Sequence, residues 1–208
     1  PYYRMGVRMH VQPEDEIGPQ LRQIGIEPRD VRWLVLTHLH TDHAGGLHHF
    51  PEAEILVTPA EYRAASGLNG RLSGYLPQRW PHWFLPTLVE FSDPAVGSFP
   101  NSFTLTRAGD VHLVPAAGHT PGQMAVILEE GPHRILIAGD ISYTQQTMLD
   151  QVVDGVAPDP QAAAQTLART LAYVQSHPTV YLPSHDPDSA VRLAHRQIIQ
   201  TQHEEVFA

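Results

Sequence analysis

Four side chains that can bind a metal ion lie within six consecutive residues, directly after a short apolar run. They are His38, His40, Asp42 and His43, and the run before them ends at Leu36. In extended backbone, residues two apart point to the same side, so His38 and His40 are placed to share one ion. Asp42 and His43 follow where the chain turns, and they are placed to serve a second ion. Imidazole and carboxylate suit zinc, and also iron or manganese. The alternative interpretation is a polar, solvated turn.

Three further candidate ligands lie in short turns later in the chain. His119 lies in Gly-His-Thr-Pro-Gly, Asp140 follows Ala-Gly, and His185 lies in Ser-His-Asp. Each follows a predicted strand, and turns at strand ends are where ligands from distant parts of a chain converge. Taken singly each signal is weak, because a lone histidine is more often structural than a ligand. Their occurrence together predicts one shared metal site.

The composition restricts what such a site can contain. The chain has no cysteine, so neither disulfides nor thiolate ligands can form, and imidazole and carboxylate must supply every ligand. Five of the fourteen histidines belong to the candidate set. We expect the remaining nine to be ordinary core or surface residues. This includes His48 and His49, which we place in a helix after Gly46, pointing away from the metal site.

Charge and hydropathy exclude two classes of partner. The formal net charge is −9, with only 13 Lys and Arg residues and no basic cluster, which argues against nucleic-acid binding. No apolar run approaches the roughly 18 residues that a membrane helix needs. No signal peptide is visible, so we expect a cytoplasmic protein.

The elements that must position these residues alternate between strands and helices, which predicts an α/β or α+β fold. Apolar and β-branched runs predict strands at 31–36, 54–58, 111–115, 124–129, 134–138 and 179–182. Helices are predicted at 13–24, 59–65 and 187–199, and from Pro160, capped by Asp159, to the residue before Pro178. Residues 66–109 form a long irregular stretch whose aromatic content argues against disorder. No linker divides the chain, so we predict one domain over 1–208.

The ordered ligand set resembles the signature of the metallo-β-lactamase superfamily. The resemblance covers residues 30–186 and fills seven ligand positions: His38, His40, Asp42, His43, His119, Asp140 and His185. It implies a four-layer αββα sandwich with the metals at one edge. Members of that family have strands before the first histidine motif, so we expect this chain to lack its N-terminal strands.

The resemblance also implies how the ligands are divided. The first metal would be held by His38, His40 and His119. The second would be held by Asp42, His43 and His185. Asp140 would bridge two zinc ions roughly 3.5–4 Å apart, with iron, manganese or cobalt as alternatives. A metal-bridging hydroxide would be the nucleophile, and Asp42 would also shuttle a proton.

Asp140 and Tyr143 narrow the kind of hydrolase that the resemblance implies. The zinc β-lactamases commonly have Cys or Ser where this chain has Asp140, so the chain resembles the broader branch of lactonases, thioesterases, phosphodiesterases and nucleases. The run from Gly139 to Thr144 resembles N-acyl homoserine lactonases. By that resemblance the Tyr143 hydroxyl donates a hydrogen bond to the lactone carbonyl oxygen. The alternative is a packed aromatic at a strand end.

These observations leave three hypotheses open. The first is a lactonase that opens N-acyl homoserine lactones and so quenches quorum signalling. The second is another hydrolase of this fold, acting on small thioesters, phosphoesters or organophosphates. The third is a non-catalytic metal-binding relative.

The aromatic stretch from Tyr75 to Phe84 has three interpretations. It walls an apolar pocket for an acyl chain, it packs on itself as a surface loop, or it forms a contact between two copies in a homodimer.

Overall fold

Two β-sheets packed face to face form the centre of the computed structural model, which describes residues 10–200. The first sheet is parallel, with strands in the order β1 (Trp33–Val35), β2 (Glu54–Val57) and β3 (Thr87–Leu88). The second has the order β4 (Phe103–Thr104), β5 (Val111–Pro115), β6 (Met124–Glu130), β7 (His133–Gly139) and β8 (Thr179–Pro183). Its strands are antiparallel except for the parallel pair β7 and β8.

Alternating side chains on the strands fill the space between the sheets. Leu56 of the first sheet packs in one buried cluster with Leu113, Met124 and Val126 of the second. Their sequence neighbours point the other way, because successive side chains in a strand face opposite sides. Each sheet is therefore apolar on both faces, and each needs a covering layer on its outer side.

Helices supply the two outer layers. They are α1 (Ile17–Gln23), α2 (Thr41–Ala44), α3 (Pro59–Ala65), α4 (Gly67–Leu72), α5 (Gln145–Leu149), α6 (Pro160–Ser176) and α7 (Ser189–His195). Leu167 and Tyr173 of α6 pack on the outer face of the second sheet. Ala44 of α2 and Ala65 of α3 pack on the outer face of the first. The α+β class and the αββα sandwich predicted from the sequence are confirmed.

The starts of two helices follow from local sequence. Thr58 accepts a hydrogen bond from the Glu61 amide at 3.2 Å, with Pro59 in the first turn of α3. Asp159 accepts one from the Ala162 amide at 3.0 Å and so caps α6. The predicted helix 59–65 and the predicted start at Pro160 are therefore confirmed.

The predicted helix 13–24 is wrong as a single element. A 3-10 turn covers Pro13–Asp15, Glu16 is extended, and α1 begins afresh at Ile17. A continuous helix would place Pro19 in its interior, where its ring would clash with the carbonyl of Asp15. Restarting at Ile17 places Pro19 in a first turn, where no amide donor is required.

Two other predictions need correction. The stretch 66–109 is not wholly irregular, since α4, β3, β4 and a 3-10 turn at Pro77–Arg79 lie within it. The two-residue strands are too short to show an alternating pattern. The last helix ends at His195 rather than 199, because Arg196 adopts a left-handed conformation with φ of 49°.

Within residues 10–200, none of the helices has the length and apolarity required to cross a membrane.

Candidate metal centre

The fold brings all seven candidate ligands to one edge of the sandwich. The segment after β1 carries His38 and His40, and α2 carries Asp42 and His43. The other three follow the carboxyl ends of β5, β7 and β8: they are His119, Asp140 and His185. Four strand ends therefore converge on this site, as expected from the sequence.

One group of ligand atoms belongs to three histidines. The nitrogens of His38, His40 and His119 lie within 4.8 Å of one another. His40 Nδ1 lies 3.1 Å from His119 Nε2. The His38 and His119 side chains are buried, and His40 is partly exposed.

A second group lies beside the first. Ligand atoms of Asp42, His43 and His185 also lie within 4.8 Å of one another. Asp42 Oδ2 is 3.5 Å from Nε2 of both His43 and His185. Asp42 and His185 are each more than 40% exposed, at 43% and 42%, so this side of the site is open to solvent.

Asp140 lies between the two groups. Its Oδ2 is 3.5 Å from His119 Nε2 and 3.1 Å from His185 Nε2. Its Oδ1 is 3.2 Å from His43 Nε2. This one buried carboxylate thus contacts a histidine of the first group and two of the second.

The donor atoms fit metal ions. Among the described residues, His38 Nε2 is buried without a hydrogen-bond partner, and the buried atoms His43 Nε2 and Asp140 Oδ1 face each other at 3.2 Å without hydrogen-bond geometry. Buried polar atoms left unpaired cost about 1–3 kcal/mol each, so such a site needs a compensating interaction. Divalent cations bound by imidazole nitrogens and carboxylate oxygens would provide it.

Electrostatics favour the protonation states that ligands require at three of the seven residues, His38, His40 and Asp140. Burial lowers the pKa of His38 well below its usual value. Burial, with the nearby His119, lowers the pKa of His40 to about 4. Burial also opposes ionisation of Asp140, but the imidazoles of His43, His185 and His119 outweigh it and lower its pKa. At neutral pH His38 and His40 are therefore neutral imidazoles and Asp140 is an ionised carboxylate. Burial opposes protonation of His43, but the Asp140 and Asp42 carboxylates outweigh it and raise its pKa, so an ion bound there would displace a proton.

Gly139 allows Asp140 to approach the histidine segment. Its φ is +57°, and a Cβ at this position would lie 2.8 Å from Thr37 Oγ1. Thr37 directly precedes His38, and its carbonyl accepts a hydrogen bond from the Met124 amide at 2.9 Å. A residue with a side chain would therefore separate two of the segments that form the site.

Glu61 is a supporting residue that the sequence analysis missed. Its buried carboxylate accepts hydrogen bonds from the Leu39 amide at 2.9 Å, the Thr120 hydroxyl at 2.6 Å and the Gly122 amide at 3.2 Å. Leu39 separates His38 from His40, and Thr120 follows His119. Glu61 therefore ties two ligand segments together from behind the site. In the sequence it reads as the acidic residue of a helix cap three positions after Thr58, which conceals this role.

Asp154 is a second missed residue. It lies in the segment between α5 and α6, and its Oδ2 is 2.8 Å from His119 Nδ1. Carboxylates that accept the other ring N–H of a metal-binding histidine are a common support for such ligands. No local pattern in the sequence links two residues 35 positions apart.

Tyr143 lies beside both groups. Its side chain is 39% exposed, and its ring centroid is 5.4 Å from that of His185 and 6.1 Å from that of His119. The Gln145 amide donates to Asp186 Oδ2 at 2.8 Å, which fastens this segment to the residue after His185. The ring is edge-on to both imidazoles and is not packed away in the core.

The stretch from Tyr75 to Phe84 packs inward and also borders a cavity. Tyr75 and Phe84 are buried in the core cluster of the first sheet, and the Tyr75 ring is 4.7 Å from that of His40. A cavity of about 220 Å³ has Tyr75, Trp80, Arg79 and Thr41 among its lining residues. Self-packing and a pocket wall, two of the sequence interpretations, therefore coexist here.

Fold and site together define a metal-binding αββα protein, and the comparison with known families agrees. The sequence model of the Metallo-beta-lactamase superfamily matches residues 9–185. The chain therefore belongs to the metallo-β-lactamase superfamily.

Individual relatives point to hydrolases. The chain is 40% identical over 136 residues to a probable metallo-hydrolase of Mycobacterium tuberculosis, a match covering 62% of this chain and 43% of the relative. It is 27% identical over 180 residues to an N-acyl homoserine lactonase of Bacillus cereus, covering 83% of this chain and 63% of the relative.

A solved structure shows the same likeness. It is an N-acyl homoserine lactone hydrolase with the product N-hexanoyl-L-homoserine bound at its catalytic metal centre. The TM-score is 0.71 at 25% identity, covering 87% of this chain and 66% of that one. The chain thus spans less than two thirds of the two sequence relatives and about two thirds of this structure.

Proposed function

We propose that this chain is a dinuclear metal-dependent hydrolase that opens the lactone ring of N-acyl homoserine lactones. The observation that carries the proposal is the position of Asp140, in contact with both ligand groups, with Tyr143 beside them. The relatives named as N-acyl homoserine lactonases support the choice of substrate.

The chain offers one ligand group for each ion. His38, His40 and His119 would hold the first ion, and Asp42, His43 and His185 the second, with Asp140 between them. Zinc suits these nitrogen and oxygen donors best, and iron, manganese or cobalt are alternatives. When bound, the ions would supply Lewis acidity, which lowers the pKa of water and polarises a carbonyl oxygen.

Asp42 is the candidate for proton transfer. Ring opening adds water across the ester C–O bond: the water oxygen joins the new carboxylate, and the departing hydroxyl oxygen takes up a proton. The Asp42 side chain is 43% exposed and lies at the open side of the site. It is therefore placed to carry that proton as well as to bind an ion.

Tyr143 is the candidate for orienting the substrate. Its exposed ring stands beside His119 and His185, each assigned to a different ion. A phenol hydroxyl here would donate a hydrogen bond to the ring carbonyl oxygen as negative charge develops on it. The cavity lined by Tyr75 and Trp80 is the candidate site for the acyl chain, since the Tyr75 ring also contacts that of His40.

The test is hydrolysis of a substrate panel by the zinc-loaded chain. Short- and long-chain N-acyl homoserine lactones would be compared with thioesters, phosphodiesters and organophosphates, following product by chromatography. We expect lactone opening to be the fastest reaction. Cleavage of another ester without lactone opening would exclude the lactonase assignment and leave the metal centre intact. Binding of metal with no hydrolysis of any substrate would favour a non-catalytic relative.

A further inference from the structure

A second cluster of metal-binding side chains lies outside the centre described above. It consists of Glu16, His48 and His49, whose ligand atoms lie within 4.8 Å of one another. Glu16 Oε2 is 2.6 Å from His49 Nε2 and 3.1 Å from His48 Nε2. The Nε2 atoms of two adjacent imidazoles thus both lie against one carboxylate oxygen.

The fold builds this cluster through the close approach of two segments. The 3-10 turn Leu47–His49 presents both histidines, and Glu16 directly precedes α1. A Cβ at Gly18 would lie 2.5 Å from His49 Nδ1, and one at Gly46 would lie 2.6 Å from Ile17 Cγ2. The absence of a side chain at Gly18 and at Gly46 therefore permits the two segments to approach closely enough for Glu16 to contact both imidazoles.

The donor atoms suit a borderline divalent ion. Imidazole nitrogen and carboxylate oxygen bind zinc at roughly 2.0–2.2 Å, so tetrahedral ligand atoms lie roughly 3.3 Å apart. The two nitrogen–oxygen distances are shorter than this, and the partly exposed Glu16 side chain can withdraw by the small amount required. His48 is 56% exposed, which leaves a side open for water as a fourth ligand.

We propose that Glu16, His48 and His49 form a peripheral site for a divalent transition-metal ion, with zinc as the representative occupant. The hydrogen bond from His49 lowers the pKa of Glu16, so the carboxylate is in its ligand form at neutral pH. The site shares no ligand with the proposed hydrolytic centre and does not depend on the proposed reaction, although His48 also lines the cavity assigned to the acyl chain.

The consequence is a cross-link between α1 and the turn after the histidine motif. Within α1, which lies wholly in the described part of the chain, Gly18 is the buried residue, so apolar burial holds this helix weakly. An ion bound to Glu16 on one segment and to two histidines on the other would join them directly. Binding of that kind stabilises the native state by mass action.

The test is a count of bound zinc ions in the full chain and its variants. Each protein would be loaded with zinc, freed of excess metal by gel filtration and analysed by elemental mass spectrometry. The variants are Glu16→Gln and His48→Asn, and the control is His195→Asn, an exposed histidine at the end of α7. Since the His48 side chain is mostly exposed, its replacement is expected to leave the fold intact.

We expect the wild type and the control to bind one more zinc ion per chain than either variant. Zinc should also shift the Nε2 resonances of both His48 and His49 in the wild type, and not in Glu16→Gln. Equal zinc contents in all four proteins would show that Glu16, His48 and His49 form only ion pairs, and would overturn the proposal. An equal loss in His195→Asn would show non-specific surface binding and would overturn the proposal as well.

Discussion

The Asp154 carboxylate lies 2.8 Å from His119 Nδ1, and both side chains are buried. A carboxylate accepts hydrogen bonds, so the ring proton must be on Nδ1. The lone pair is then on Nε2, which faces His40 and Asp140. Asp154 thus sets both the tautomer and the direction of a proposed metal ligand.

Replacing Asp154 should weaken metal binding. We expect Asp154→Ala to lower the affinity for zinc about 10–100-fold, the usual effect of removing such a support. Zinc competition with a chromophoric chelator measures this directly. The matched control is Asp150→Ala, an exposed carboxylate in the same region. Unfolding of the metal-free proteins separates positioning from a general loss of structure, and unchanged zinc affinity in a folded Asp154→Ala protein would contradict the role.

Glu61 should matter for stability as well as for the site. Glu61→Ala leaves the Leu39 and Gly122 amides and the Thr120 hydroxyl without their buried acceptor. At about 1–3 kcal/mol for each unpaired group, the free energy of unfolding should fall by at least about 3 kcal/mol. Chemical denaturation of the metal-free protein measures the loss, with the exposed Glu52→Ala as control. Equal losses in both variants would refute the prediction.

The titration of Glu61 gives a pH-dependent test. Burial raises its pKa above 4.5 against the opposing hydrogen bonds from Thr120, Leu39 and Gly122. The folded protein therefore holds this proton to higher pH than the unfolded chain, and stability falls as pH rises through that window. Glu61→Gln cannot titrate. The unfolding free energy of wild type minus that of Glu61→Gln should decline from about pH 4.5 upwards, and a rise would contradict the shift.

The candidate ligands could be proposed from the sequence because their signal is local. His38, His40, Asp42 and His43 lie within six residues, and the remaining three follow strands that the apolar pattern already indicates. The supporting residues carry no such signal. Glu61 meets Thr120 across 59 positions, and Asp154 meets His119 across 35.

Element boundaries show the same division between local and tertiary information. The α6 start was predictable because Asp159 and Pro160 determine it locally. The two-residue strand β3 exists through pairing with the distant strand β2, which no short sequence pattern reveals. His48 and His49 were expected to be ordinary residues, and their convergence on Glu16 depends on the close packing of two segments.

Tyr143 should affect turnover more than folding. If its hydroxyl stabilises developing charge on the substrate, Tyr143→Phe should lower kcat roughly 100-fold. Zinc content and the unfolding midpoint should stay at their wild-type values, because the ring remains. Steady-state kinetics on N-acyl homoserine lactones provide the measurement, and Tyr62→Phe, a hydroxyl on α3, is the control. Wild-type kcat in Tyr143→Phe would leave only a packing role.

Metal removal should destabilise the protein. Without ions, His38 Nε2 has no hydrogen-bond partner, and His43 Nε2 and Asp140 Oδ1 meet without hydrogen-bond geometry. Zinc at 100 times its Kd should raise the unfolding free energy by about 2.7 kcal/mol per site. Thermal or chemical unfolding across a zinc titration tests this. Asp140→Ala should lose most of the gain and the exposed Asp30→Ala none, while a zinc response unchanged in Asp140→Ala would contradict the assignment.

The most direct measurement is anomalous diffraction from zinc-loaded crystals, collected at the zinc absorption edge. We expect two ions roughly 3.5–4 Å apart at the sandwich edge, with Asp140 between them. One should lie roughly 2.0–2.2 Å from ligand atoms of His38, His40 and His119, and the other equally close to Asp42, His43 and His185. A single ion at this edge, or zinc bound only away from these residues, would contradict the dinuclear centre.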